Sequence, residues 1–187
     1  MKDASRSRKG LSTVVTTLII LVVSVLLASV VTFYAVNVTT TRVQEESLQI
    51  YKEQIWHNGV DFSEAALLIV NTGGRDVVID SISVRGQTCD WNTVYYNKTG
   101  TTPSEELPYV YPTGNGTLQG QNATVGSTDF NLIQANGDLI LKSSWSMIVY
   151  IINPDSVSVN DVGVTVGFTV FTANAQYHKE CNVDASV

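Results

Sequence analysis

Few residues in this chain have the type and spacing to do chemistry. Its two histidines, His57 and His178, are far apart in sequence. The adjacent carboxylates Glu45-Glu46 and Glu105-Glu106 have the pattern of solvated faces, with no nearby partner for acid–base work. The run from Asp155 to Asp161 (DSVSVND) could touch a cation, but it lacks the dense oxygen spacing of a calcium loop. No P-loop, Gly-rich dinucleotide turn, GxSxG or CxxC occurs, so the expectation is no enzyme, no metal and no cofactor.

Two cysteines remain, Cys89 and Cys181. Outside the cell a disulfide between them is the default, and closing so long a loop would contribute roughly 4–5 kcal/mol if unstrained. Two buried thiols are the alternative, because pairing requires a close Cα approach. Four sequons for N-glycosylation stand at Asn37, Asn97, Asn115 and Asn122. About two or three would arise by chance in a chain this rich in Asn, Ser and Thr. Three of them cluster at 97–124, which makes Asn97, Asn115 and Asn122 the candidates. Asn37 would be covered wherever the apolar run around it packs.

The elements that position these residues divide sharply. Residues 1–10 hold Lys2, Arg6, Arg8 and Lys9 against Asp3, a net of +3; the whole chain is −6, so residues 11–187 carry −9. From Leu11 to Thr41 there is no charged residue and no histidine. A 26-residue helix over 11–36 would be about 39 Å long, enough to cross a bilayer. The basic head keeps the N-terminus in the cytoplasm and sends the rest across. Ala35-Val36-Asn37 is a poor site for ordinary signal peptidase. The acidic remainder argues against nucleic acid, whose phosphates it would repel.

Val43, Leu48, Tyr51 and Ile55 recur at roughly helical spacing, and no Pro or Gly intervenes before Gly59. The expectation is therefore one helix over 11–57, apolar and then amphipathic. Thr13, Thr17, Ser24, Ala28 and Ala35 fall within about 60° on its apolar half. Small residues on one face let helices approach closely in lipid, although Ser and Thr are also tolerated there without a partner.

From residue 60 the pattern becomes strand-like. Ala65–Thr72 reads as a buried strand, and Val77–Val84 alternates and should pair back on it through Gly73-Gly74. Thr88–Tyr96 gives a third strand. Residues 97–129 read as a long exposed loop. Asp138–Ile152 holds two further strand-like pieces, and Val162–Thr172 and Gln176–Val183 complete the set. The expected fold class is α+β: a long N-terminal helix, then an antiparallel, immunoglobulin-like β-sandwich over 60–187.

The order of basic residues, Gly10, then Leu11-Ser12-Thr13-Val14-Val15 opening an uncharged helix resembles the class III signal sequence of archaeal type IV pilins and archaellins. The stretch Leu68–Gly74 followed by Val77–Val84 is also similar to the first hairpin of their β domains. The resemblance implies cleavage between Gly10 and Leu11 by a class III signal peptidase, with residues 1–10 as the signal peptide. It implies a membrane precursor with its N-terminus inside, then an extracellular filament that is a homopolymer of this chain. The partners implied are an assembly platform and its ATPase. Bacterial pilins carry Glu at the fifth mature position; here it is Val15, as is common in archaeal filament proteins. The competing expectation is a membrane-anchored surface protein, a minor pilin, envelope or ligand-binding component displaying the same β domain. The sequence alone does not separate adhesion from motility.

Overall fold

The computed structural model describes residues 3–43, 45–114, 116–154 and 157–186. It divides into two units, residues 1–43 and 44–187. The first is one helix, α1 (Asp3–Val43). Val, Ile and Thr are mediocre helix formers in water, yet every Ser and Thr hydroxyl from Thr16 to Thr40 bonds within its own turn. Thr16, Ser24, Ser29, Thr32, Thr39 and Thr40 each donate to the carbonyl four residues back, at 2.7–2.8 Å. The helix thus presents hydrocarbon outward and keeps its hydroxyl protons inside.

The expected helix over 11–57 is corrected at its second half. After α1 comes β1 (Leu48–His57), a strand. Leu48 and Ile50 are buried while Gln49 and Tyr51 are exposed, a period of two. A bulge then inserts one residue between Tyr51 and Gln54, with Lys52 at φ 55°. The bulge shifts the phase, so Ile55 returns to the core from an odd position. Leu48, Tyr51 and Ile55 therefore fall at helix-like spacing although the backbone is extended.

Eleven more strands follow among the described residues: β2 (Ser63–Asn71), β3 (Val77–Val84), β4 (Gln87–Thr88), β5 (Val94–Thr99), β6 (Asn122–Val125), β7 (Thr128–Asn131), β8 (Ile133–Gln134), β9 (Leu139–Leu141), β10 (Ser146–Ile152), β11 (Thr165–Thr172) and β12 (Gln176–Ala185). Ten of the twelve form one curled sheet in the order β4-β3-β11-β12-β1-β2-β10-β5-β8, with β9 also on β3. All its pairings are antiparallel except β1 with β12, which joins the two halves through Ile55–His57 and Val183–Ala185. Curling brings β1, β2 and β10 opposite β3, β9 and β11 around a single core. Leu67, Ile69, Val149, Ile79, Phe168 and Val170 meet there.

The expected hairpin between β2 and β3 does not form. β2 pairs with β1 and β10, while β3 pairs with β11, β4 and β9. Residues 72–76 form an arch that carries the chain across the core. Asn71 organises it: its side-chain amide donates to the carbonyls of Arg75 (2.8 Å) and Leu141 (3.1 Å) and accepts from Gly73 N–H (3.0 Å). A Cβ on Gly73 would lie 2.6 Å from the Glu45 carbonyl oxygen, so the arch has no room for one. The expected third strand is likewise interrupted, as β4, a 3-10 turn (Trp91–Thr93) and β5, which moves the chain between halves.

Residues 97–129 are also more than an exposed loop. Asn122–Val125 and Thr128–Asn131 form the β6–β7 hairpin. Leu107, Val110 and Leu118 are buried with Ala123, Val125 and Phe130 against Trp56, Leu68, Tyr95, Ile148 and Tyr150. This layer covers the outer face of β1, β2, β10 and β5. It explains why β2 and β10 are buried on both faces and why their sequences run apolar without alternation.

Candidate functional site

The segment that differs most from an ordinary soluble fold is α1. Over its described side chains, Ser12–Thr40, every residue is exposed, including Phe33 at 72% and Tyr34 at 71%. That 29-residue stretch is long and apolar enough to cross a membrane, and it lies near the N-terminus. It suits a membrane anchor or a signal sequence. The Gly10–Leu11 bond lies within its helical backbone. In the expected packing stripe, the Thr17 hydroxyl donates to Val14 O (2.9 Å) and the Ser24 hydroxyl to Ile20 O (2.7 Å). Their protons are already committed, so what they offer a neighbouring helix is small size. Ala28 and Ala35 offer the same.

In the β domain the other expected residues are dispersed. Cys89 and Cys181 are separate thiols, both packed against the main core. Cys89 directly follows β4 and Cys181 is on β12. In the sheet order β3 and β11 stand between those two strands. Burial, with Glu53 and Asp184 nearby, pushes the Cys181 thiol up to about 12. It is a packing group rather than a nucleophile at neutral pH.

Asn97 is half-buried in β5, and its amide nitrogen donates to Asn131 O at 2.7 Å. Asn122 is exposed at the start of β6, where its side-chain oxygen accepts from Asn131. Asn115 lies outside the described residues, as do Asp155 and Ser156.

His57 does not lie on a helix. It ends β1, buried, with Nδ1 accepting Gly59 N–H at 2.9 Å. His178 is exposed beside Thr169 and Glu180. Asp161 caps its own turn through Ser158 and pairs with Arg85 at 2.5 Å. Bonds from Ser158 and then Arg85 hold its carboxyl below the usual range. Among the described residues no three His, Cys, Asp or Glu side chains gather to hold a metal. A groove of about 390 Å³ runs between residues 99–105 and 125–130, with Glu105 as its charged residue and hydroxyls of Thr101, Thr102 and Thr128 on its walls. It holds no nucleophile–base pair.

One residue was missed by sequence reasoning. Glu64 opens the apolar strand β2 and is wholly buried on the outer face, between that face and residues 103–111. The signal was available: a lone carboxylate beginning a run buried on both sides must meet a partner or stay protonated. Burial pushes it up to about 8, with the Val110 N–H bond pulling the other way.

No family model matches the chain, and no curated protein matches it either. Solved structures give weak likenesses. An apo PCuAC domain of PmoF2 is 12% identical, covering 75% of this chain and 94% of that one, with a TM-score of 0.41. A family 123 glycoside hydrolase from Clostridium perfringens is 11% identical over 76% of this chain, with a TM-score of 0.32; the match spans only 27% of the hydrolase. A yeast GGA1 GAE domain gives a TM-score of 0.22. Likenesses at this level carry no inference about activity.

Proposed function

We propose that this chain is the structural subunit of an extracellular filament of the archaeal type IV pilin and archaellin kind, without enzymatic activity. The observation that carries the reading is the uncharged stretch Ser12–Thr40 of α1, exposed throughout, that follows a basic head and Gly10-Leu11. Cleavage after Gly10 would remove Lys2, Arg6, Arg8 and Lys9, the charges that hold the helix across the bilayer. Extraction would then cost less, because α1 keeps its hydroxyl bonds within itself and needs only another apolar surface. In this reading the helices bundle as the core and the curled sheet, taken as an immunoglobulin-like sandwich, forms the outer layer. The −9 of residues 11–187 would suit a solvated exterior.

A second reading, a membrane-anchored surface protein with the same β domain, is favoured by β1. The segment that would have lengthened an assembly rod to residue 57 is part of the sheet instead. Mass spectrometry of exported material separates the two, with negative-stain electron microscopy of sheared cells. Filaments whose subunit begins at Leu11 support the first. A chain that keeps its basic head and stays with the membrane fraction overturns it.

A further inference from the structure

Residues 103–111 form a strap across the outer face of the sheet, held at four points. The Lys52 ammonium, aimed by the β1 bulge, donates to the carbonyls of Pro103 and Glu105. Gln54 donates to Glu106 Oε2 at 3.1 Å, and the Tyr150 hydroxyl donates to Pro108 O at 2.8 Å. The fourth point is Glu64, whose Oε1 accepts Val110 N–H at 2.9 Å. Its Oε2 is buried without a hydrogen-bond partner among the described residues. A neutral acid tolerates that position far better than a carboxylate, whose burial without a cation is costly.

Lys, Gln and Tyr side chains do not ordinarily change charge between pH 5 and 9, whereas a buried carboxyl does. The titratable groups on the elements packed around Glu64 are engaged elsewhere. His57 on β1 accepts from Gly59, Tyr150 on β10 holds Pro108, and Tyr95 on β5 meets Thr117 Oγ1 at 3.0 Å. Tyr109 belongs to the strap itself and stacks edge-on against Trp56, with Tyr111 edge-on behind it. The Lys52 ammonium is spent on strap carbonyls.

We propose that Glu64 is a proton-operated latch, holding the 103–111 strap closed as the neutral acid and releasing it when the carboxyl ionises. The sign follows from the two environments. Closed, the carboxyl titrates at about 8; open to water it would return to its ordinary 4.5. The open form is therefore favoured progressively as pH rises from about 4.5 through about 8, and no further above that. Release would expose Leu107 and Val110 and the apolar outer face beneath them, a pH-gated surface that exists whether the chain is polymerised or anchored.

The test is hydrogen exchange of the strap, Val110 above all, in the full chain in detergent micelles from pH 5 to 9, corrected for intrinsic exchange. Wild type should show a tenfold or greater rise in strap opening, while the amides of β2 and β10 stay protected. Glu64→Gln keeps the acceptor to Val110 without a titrating charge and should abolish the rise. Tyr150→Phe should raise opening by the same factor at every pH. A flat wild-type profile overturns the proposal, as does an unchanged slope in Glu64→Gln or the loss of the slope in His57→Gln. Should Glu64→Gln not fold, the wild-type profile and His57→Gln still decide the matter.

Discussion

Asn71 and Glu64 show how single polar side chains set the interior of this sheet, by opposite means. Asn71 is fully buried and uses both ends of its amide, three bonds that hold the arch between β2 and β3. Asn71→Ala leaves the Arg75 and Leu141 carbonyls and the Gly73 N–H without that partner. It should cost about 2–3 kcal/mol, read as a lower urea midpoint by tryptophan fluorescence of the full chain in micelles. Glu64 is buried with one oxygen unmet, and its contribution depends on pH. Its folded value lies above its ordinary one, so the folded state binds the proton more tightly. The stability it confers is complete below about pH 4.5 and is lost as pH rises through about 8, a fall of about 3–5 kcal/mol. Urea midpoints at pH 5, 7 and 9 should decline in wild type and hold level in Glu64→Gln. Asp161, held below its usual range, acts with the opposite sign and in a separate window. Its contribution is present above pH 4 and disappears as pH falls through its folded value.

At the scale of elements, α1 satisfies every Ser and Thr hydroxyl from Thr16 to Thr40 within itself. Ser24→Ala removes a hydroxyl already bonded to Ile20 O and should leave membrane insertion and filament yield unchanged. Ser24→Leu keeps insertion but adds bulk to the small-residue face, and should sharply reduce filament yield if helices pack there. Equal yields from both variants would remove the stripe from the assembly argument. The helix was legible because 31 uncharged residues admit one solution in lipid. Strands β9 to β12 were legible because their apolar runs end in turn residues. What failed had physical causes. The β1 bulge shifted a two-residue period into a helical disguise. The β2–β3 arch looked like a hairpin turn because Gly73-Gly74 suits both, and only Asn71 and the partners of β3 distinguish them. The strap that covers Glu64 was illegible for a related reason. Leu107, Val110 and Leu118 are isolated among prolines and glycines, so no periodicity announced a second layer.

The whole molecule joins a unit that shuns water to one that is acidic and strand-built, and the proposed function depends on changing the environment of the first. On that proposal, the net charge of +3 on residues 1–10 would oppose movement of the helix out of the bilayer before cleavage. After it, nothing charged remains before Arg42 except the new amino terminus. A substitution that blocks the peptidase should therefore act without touching either unit's stability. Gly10→Val is such a change: a β-branched residue would stand at the bond to be cut, while the uncharged run from Leu11 and the sheet keep their sequences. In cells this variant should accumulate as a chain about ten residues heavier, sediment with membranes and yield no filaments, as read by immunoblot and electron microscopy. Its β domain should resist protease as wild type does. Filaments formed from uncleaved Gly10→Val would mean that the basic head does not hold the helix in the membrane, and the filament reading would lose the step on which it turns.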